Sequence, residues 1–130
     1  MKMIIAIVRP EKLPDVKKSL LTKEIGMMTI LDVNGCGQQK GYKEEYRGIV
    51  EEVDLHRKVM LMIAVNESFV EKTVKAISSG AKTGKIGDGK IFVLNLEDCL
   101  RIRTDEQGVL AIGGSSKEAD EAIKKGGKSK

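Results

Sequence analysis

The sequence predicts an α+β domain in which an antiparallel sheet carries two helices on one face. The chain has 130 residues, the length of one domain, and 41% of them are hydrophobic, which is enough for a core. Four short apolar runs, typical of buried strands, are interleaved with two stretches in which apolar residues recur at helical spacing. Their order along the chain is βαββαβ, the split arrangement of ferredoxin-like folds.

The first half of the domain contains two of the strands and one helix. Residues 3–8 predict the first strand because they are apolar and rich in β-branched side chains. Helical spacing predicts a helix over residues 11–23, with Pro14 tolerated in its first turn and Gly26 as its stop. Residues 27–33 predict the second strand, which an Asn-Gly pair ends.

The second half places the other helix between the remaining two strands. Residues 59–65 are apolar and predict the third strand. Ser68 and Glu71 then form a Ser-x-x-Glu capping box, which predicts the start of a helix that Gly80 stops. Residues 91–96 predict the fourth strand, which completes the sheet.

Two connections are unusual and point to function. The connection over residues 35–57 is 23 residues long, whereas unstructured loops longer than about 12–15 residues are uncommon. Residues 80–90 contain four glycines, which favours backbone N–H groups presented to an anion. The composition changes after residue 112, so we predict a domain over residues 1–112 and a flexible tail over residues 113–130.

Composition and cysteine usage argue against several classes of protein. Cys36 and Cys99 are far apart and His56 is the single histidine, which nearly excludes a structural zinc site and favours two free thiols over one disulfide. The absence of tryptophan, with two phenylalanines and two tyrosines, leaves too few rings for an RNA-binding sheet. A net charge of +4 favours small anions over nucleic acid. The apolar runs are too short for a membrane span or a signal peptide, so we expect a cytoplasmic protein.

The stretch TGKIGDGKIF over residues 83–92 is the most informative motif. Gly87 and Gly89 can adopt positive φ angles and let backbone N–H groups approach a phosphate, and Lys90 adds a positive charge. The stretch is not a Walker A loop, because Ile86 stands where that motif has the Ser or Thr that binds Mg²⁺. A surface turn leading into a strand is the alternative interpretation.

Three other features carry weaker signals. Arg101 and Arg103 alternate, which predicts both guanidinium groups on one face of an extended segment, where they either grip phosphate or border a solvated strand edge. Gln39 offers an oxygen to a hard cation, or else belongs to the base of a mobile loop. His56 lies in a charged segment, where a solvated loop histidine is favoured over a catalytic one.

Together these motifs resemble those of the PII nitrogen-signalling family over about residues 1–112. The specific matches are TGKIGDGKIF at 83–92, G-x-G-x-Q-K-G at 35–41, E-x-Y-R-G at 44–48, Val53-Asp54 with Lys58, and RIRT at 101–104, in the expected order and at the expected separations. The resemblance implies a compact homotrimer of ferredoxin-like subunits with three nucleotide sites in the clefts between subunits. It also implies that ATP and ADP compete for these sites and that 2-oxoglutarate binds beside Mg-ATP.

The resemblance further implies a regulator without catalysis that acts through a long T-loop, here about residues 38–58. The implied target is an ammonium transporter, nitrogenase or glutamine synthetase. A transporter target would recruit the cytoplasmic protein to the membrane.

Roles for individual residues follow from the same resemblance. The positions implied for nucleotide binding are Ile7, Thr29, Gly35, Gly37, Gln38, Gln39, Ala64, Gly87, Asp88, Gly89, Lys90, Arg101 and Arg103. The positions implied for 2-oxoglutarate are Arg9, Gln39, Lys40, Gly41 and Lys58, and Gln39 is also the implied Mg²⁺ ligand. The positions implied for the partner-binding loop are Tyr46, Arg47, Gly48, Ile49 and Glu51.

The sequence departs from the family pattern at a few of these positions. Gln38 stands where many bacterial members have an arginine that contacts the terminal phosphate. Glu51 and Ile49 stand where other members have a modified tyrosine and a modified serine, so we expect no covalent switching by those two routes.

Two other functions stay open at the level of sequence. One is a small ferredoxin-like phosphotransferase that uses His56 as its nucleophile. The other is a structural trimer that binds no nucleotide. Titration with ATP, ADP and 2-oxoglutarate separates these alternatives from the ligand sensor.

Overall fold

The computed structural model of the chain describes residues 1–36 and 55–113. Within them the strands are β1 (Lys2–Val8), β2 (Thr29–Gly35), β3 (His56–Val65) and β4 (Lys90–Asn95). The helices are α1 (Leu13–Leu21), which follows a 3-10 turn at Pro10–Lys12, then α2 (Glu67–Ala81) and α3 (Val109–Ile112). The strands form one antiparallel sheet in the order β2-β3-β1-β4, which confirms the predicted ferredoxin-like α+β fold.

The core lies between one face of the sheet and the helices α1 and α2. Alternate residues of β1 and β3 are buried, as the side-chain period of a strand requires. They pack against Val16 and Leu20 of α1 and against Ala76 and Ile77 of α2. The buried strand residues are Ile4, Ala6, Val8, Val59, Leu61, Ile63 and Val65.

The opposite face of the sheet is also apolar but only partly buried. Directly paired residues of antiparallel strands share a face, so Ile5 lies beside Met62 on one side and Phe92 on the other. Phe92 lies on the edge strand β4 and is 46% exposed. The face is therefore suited to contact with another apolar surface.

Gly80 was predicted to end the second helix, and this prediction is wrong. The helix α2 continues through Gly80 to Ala81. A Cβ built on Gly80 would lie 2.8 Å from the Cα of Val16 and 2.9 Å from the carbonyl oxygen of Asp15. Gly80 therefore lets α1 and α2 approach closely, which is a packing role and not a stop signal.

The other predicted helix boundaries are also wrong, and the predicted start at residue 11 falls in the 3-10 turn before α1. The helix α2 begins at Glu67 after Asn66, so Ser68 lies inside the helix and does not cap it. At the end of α1, Glu24 takes a positive φ of 62°, and the N–H of Ile25 donates to the carbonyl oxygen of Leu20 at 3.0 Å. This is a Schellman-type ending that uses Glu24, so Gly26 is not its stop.

The predicted ends of β1 and β3, Val8 and Val65, are confirmed, and the other strand boundaries differ from the predictions by one to three residues. The strand β2 is displaced toward Gly35, and β3 begins at His56, which was predicted to lie in the preceding loop. The short helix α3 was not predicted. The predicted boundary at residue 112 and the predicted flexible tail stay predictions, because residues 114–130 lie outside the described part of the chain.

Across residues 1–36 and 55–113, no helix combines the length and the apolar character that a membrane crossing requires.

Candidate functional site

The predicted phosphate-binding loop connects α2 to β4 and lies against the end of β1. We call residues 82–89 the glycine loop. Gly87 and Gly89 both have a φ of 105°, which favours glycine. A Cβ on Gly89 would lie only 1.7 Å from the carbonyl oxygen of Ile7, so the loop backbone rests directly on β1. The predicted positive φ angles at these two positions are confirmed.

The side chain of Asp88 is directed into the glycine loop. Its Oδ2 accepts hydrogen bonds from the backbone N–H groups of Thr83 and Gly84, both at 2.8 Å. Its Oδ1 accepts from the Thr83 hydroxyl and from Nε of Arg9, the latter at 3.1 Å. The bonds from Thr83, reinforced by Gly84 and Arg9, hold the pKa of the Asp88 carboxyl far below its ordinary value.

Arg9 and Lys58, the two described cations implied for 2-oxoglutarate, both contact the glycine loop. Nη2 of Arg9 donates to the carbonyl oxygen of Ile86 at 2.7 Å. Nζ of Lys58 donates to the carbonyl oxygen of Gly87 at 2.6 Å. The two cations come from different strands, since Arg9 follows β1 and Lys58 lies near the start of β3. The fold thus joins two sets of residues that the resemblance assigns to different ligands.

Three more predicted residues lie at the same end of the sheet. Lys90 begins β4 and pairs with Ile7 of β1. Gly35 ends β2, and a Cβ on it would lie 3.6 Å from Cγ of Lys58. Lys90 is exposed, so its ammonium group is accessible to an anion. The described structure therefore gathers eight predicted residues at this end: Ile7, Arg9, Gly35, Lys58, Gly87, Asp88, Gly89 and Lys90.

Two further predicted nucleotide-binding residues, Thr29 and Ala64, lie toward the opposite end of the open sheet face. Thr29 pairs with Met62, and Ala64 pairs with Met3. They line an open groove of about 490 Å³. We call this groove the methionine groove, and its lining is Met3, Gly26, Met27, Met28, Thr29, Met62, Ala64, Cys99, Ala111 and Ile112. Cys99 and Cys36 are both free thiols.

Arg101 lies near the methionine groove, and its local structure differs from the prediction. Residues 102–104 form a turn, because the carbonyl oxygen of Arg101 accepts a 2.8 Å hydrogen bond from the N–H of Asp105. The guanidinium donates to Oε1 of Glu106 at 2.7 Å and to the carbonyl oxygen of Ala111 at 3.2 Å. The predicted extended segment with both arginines on one face is therefore wrong. Arg103 is exposed on the turn.

One copy of the chain keeps the two groups of residues apart. Met3 borders the methionine groove, and Ile7 touches the glycine loop. These residues are four positions apart on β1, which corresponds to about 13 Å. Thr29, Ala64 and Arg101 are thus not brought to the glycine loop of their own chain.

Several predicted site residues lie outside the described part of the chain. They are Gly37, Gln38, Gln39, Lys40, Gly41, Tyr46, Arg47, Gly48, Ile49 and Glu51. Their roles, including that of Gln39 as the Mg²⁺ ligand, stay predictions. His56 is described, and it lies exposed at the start of β3, opposite Gly35.

The fold and this site define a class of small ferredoxin-like proteins in which a glycine loop and clustered cations lie at one end of the sheet. The family model described as "Nitrogen regulatory protein P-II" matches residues 1–106. The chain belongs to this family of nitrogen regulatory proteins.

The matches to several similar proteins cover nearly the whole length of those proteins. The chain is 53% identical over 112 residues to "Nitrogen regulatory protein P-II 1" of Methanothermobacter thermautotrophicus, which covers 86% of this chain and 97% of the relative. It is 48% identical over 114 residues to "Nitrogen regulatory protein GlnK1" of Methanosarcina mazei, with the same two coverages. It is 46% identical over 114 residues to "Nitrogen regulatory protein P-II" of Bradyrhizobium diazoefficiens, which covers 86% of this chain and all of the relative.

Proposed function

We propose that this protein senses nitrogen status by binding ATP or ADP at the glycine loop and 2-oxoglutarate at Arg9 and Lys58. One observation carries the proposal. Arg9 and Lys58 each donate a hydrogen bond to a carbonyl oxygen of the glycine loop, at 2.7 and 2.6 Å. A dicarboxylate bound by these two cations would therefore lie next to phosphates bound by the loop, and each ligand would affect the other.

The chemistry of the loop suits phosphate. Gly87 and Gly89 allow the backbone to approach an anion closely, and Lys90 supplies a charge-assisted contact. A dianion beside a triphosphate would be repelled, and a bound Mg²⁺ would offset this repulsion by bridging the two. Gln39 is the proposed protein ligand of that ion. We therefore expect 2-oxoglutarate to bind only after Mg-ATP.

A homotrimer would complete each nucleotide site. The glycine loop of one subunit would meet Thr29, Ala64, Arg101 and Arg103 of its neighbour. Two observations support this arrangement: about 13 Å of β1 separates the two groups within one chain, and the apolar sheet face with Phe92 is only partly buried.

The proposed output is a change in the loop over residues 38–58. The last three residues of this range, 56–58, already belong to β3, where Lys58 contacts the glycine loop. Tyr46, Arg47, Gly48, Ile49 and Glu51 are the proposed contacts with a target, either an ammonium transporter, nitrogenase or glutamine synthetase. The protein would act by binding its target and not by catalysis, and a transporter would recruit it to the membrane.

Isothermal titration tests the ligand proposal. 2-oxoglutarate is titrated into protein with ATP and Mg²⁺, with ATP alone, and with ADP. We expect binding in the first condition only, and Gln39→Ala should abolish that binding while it leaves ADP affinity intact. Equal binding in all three conditions would contradict the proposed coupling.

A lysine pair in the same region tests the phosphate site. Lys90→Ala removes a charge-assisted contact, which is worth about 1.5–3 kcal/mol, so ATP and ADP should bind at least about tenfold more weakly. Lys85→Ala is the matched control, because Lys85 is an exposed lysine of the adjoining glycine loop. Wild-type affinity in Lys90→Ala would refute the assignment.

Light scattering tests the assembly. A trimer is expected, and a stable monomer with full nucleotide affinity would contradict a site shared between subunits. Turnover of ATP with phosphate on His56 would instead establish the phosphotransferase alternative. A trimer that binds none of the ligands would establish the structural one.

A further inference from the structure

We propose that Thr83 and Asp88 are positioning residues that shape the glycine loop before any ligand binds, and that their side chains do not contact the nucleotide. The inference rests on the proposed function, because it assigns a structural cause to phosphate binding by the same loop. It also assigns a role to Thr83, for which the sequence motifs indicated no specific role.

The Asp88 carboxylate already accepts as many hydrogen bonds as its oxygens can take. A carboxylate accepts about four hydrogen bonds, and Asp88 already accepts four from within the chain. Thr83 provides two of these through its N–H and its hydroxyl, and Gly84 and Arg9 provide the others. Asp88 therefore has little capacity left for Mg²⁺ or for a ligand hydroxyl.

The orientation of the Asp88 carboxylate also limits its repulsion of an anion. A carboxylate turned outward from a phosphate loop would repel the ligand at close range. Asp88 is turned inward, and the Nε of Arg9 lies 3.1 Å from its Oδ1, so that the negative charge is compensated inside the protein. The inward orientation thus allows the loop to contain an acid without losing its affinity for anions.

The Thr83 hydroxyl takes part in two hydrogen bonds within the glycine loop. It donates to Oδ1 of Asp88 and accepts a 3.1 Å hydrogen bond from the N–H of Lys85. Thr83 thereby links the start of the loop to Asp88 near its end. Its bond to Lys85 spans Gly84, which has a φ of 85°. Loss of this hydroxyl would free the backbone on both sides without removing any group that touches phosphate.

Two substitutions at Thr83 separate positioning from packing. Thr83→Val keeps the branched shape and removes the hydroxyl, so ATP and ADP should each bind about tenfold more weakly, as expected for one lost hydrogen bond to a charged group. Thr83→Ser restores the hydroxyl and should restore the affinity. Adenosine, which has no phosphate, should bind equally to all three proteins. Equal ATP affinity in Thr83→Val and wild type would overturn the inference.

Amide hydrogen exchange tests the same inference without a ligand. We expect faster exchange at Thr83, Gly84 and Lys85 in Thr83→Val and in Asp88→Asn, with unchanged exchange in the strands. Lys85→Ala is the control, since only its backbone takes part in the network. Unchanged loop exchange in both variants would overturn the inference. Wild-type protein that binds no nucleotide would refute the proposed function, and the exchange experiment would still decide whether Thr83 and Asp88 shape the loop.

Discussion

The contact between Gly89 and β1 gives a prediction that can be worked from the geometry. A Cβ on Gly89 would lie 1.7 Å from the carbonyl oxygen of Ile7, half the 3.4 Å at which ordinary contact begins. Because β1 is an inner strand of the sheet, the loop must move instead. The positive φ costs an alanine about 1–2 kcal/mol, and the overlap adds about 1–3 kcal/mol. We expect Gly89→Ala to lower the free energy of unfolding by about 3 kcal/mol.

Gly84→Ala is the matched control for this prediction. Gly84 also has a positive φ, 85°, but a Cβ on it would meet nothing within 4 Å. Gly84→Ala should therefore lower the free energy of unfolding only by the cost of the positive φ, about 1–2 kcal/mol. Urea denaturation followed by circular dichroism at one protein concentration measures both variants. Equal free energies of unfolding for the two variants would show that the close contact between Gly89 and β1 does not contribute to stability.

Three further predictions concern stability and pH. Gly80→Ala should lower the free energy of unfolding by about 1 kcal/mol in urea denaturation, because the overlap with Val16 outweighs a helix-propensity gain of about 1 kcal/mol. Glu24→Gly should raise the free energy of unfolding by up to about 1 kcal/mol in the same assay, since glycine adopts the positive φ without strain. The bonds that lower the pKa of Asp88 stabilise the loop above its ordinary pKa and are lost in stronger acid. The amide proton shift of Gly84 should therefore change only below about pH 4, and Asp88→Asn should remove this change.

The strands and their order could be predicted because burial leaves a local pattern in the sequence. The helix ends could not, because distant contacts decide them. Gly80 looks like a stop in sequence, but the backbone near Val16 approaches it and makes glycine necessary inside the helix. Glu24 ends α1 with a positive φ although Gly26 is two residues away.

Some features of the candidate site could likewise be predicted from the sequence, and others could not. The glycines of the loop were predictable, because a positive φ selects glycine locally. The pairing of Arg9 with Asp88 was not, since 79 residues separate them. Thr83 and Asp88 are five residues apart, and a hydroxyl and a carboxylate at the two ends of a glycine-rich turn are a signal that could have found this pair. Nothing local indicated that a turn at Asp105 would direct Arg101 onto α3.

At the 2-oxoglutarate site proposed above, Arg9 and Lys58 already have hydrogen-bond acceptors in the glycine loop. An anion that bound at this proposed site would have to replace the carbonyl oxygens of Ile86 and Gly87 as the acceptors of these hydrogen bonds. Chloride, a single small acceptor, would not replace both carbonyl groups, whereas a dicarboxylate of suitable length would. The proposed site would then discriminate against the abundant simple anions of a cell through this exchange of hydrogen-bond partners, without a steric barrier that excludes them.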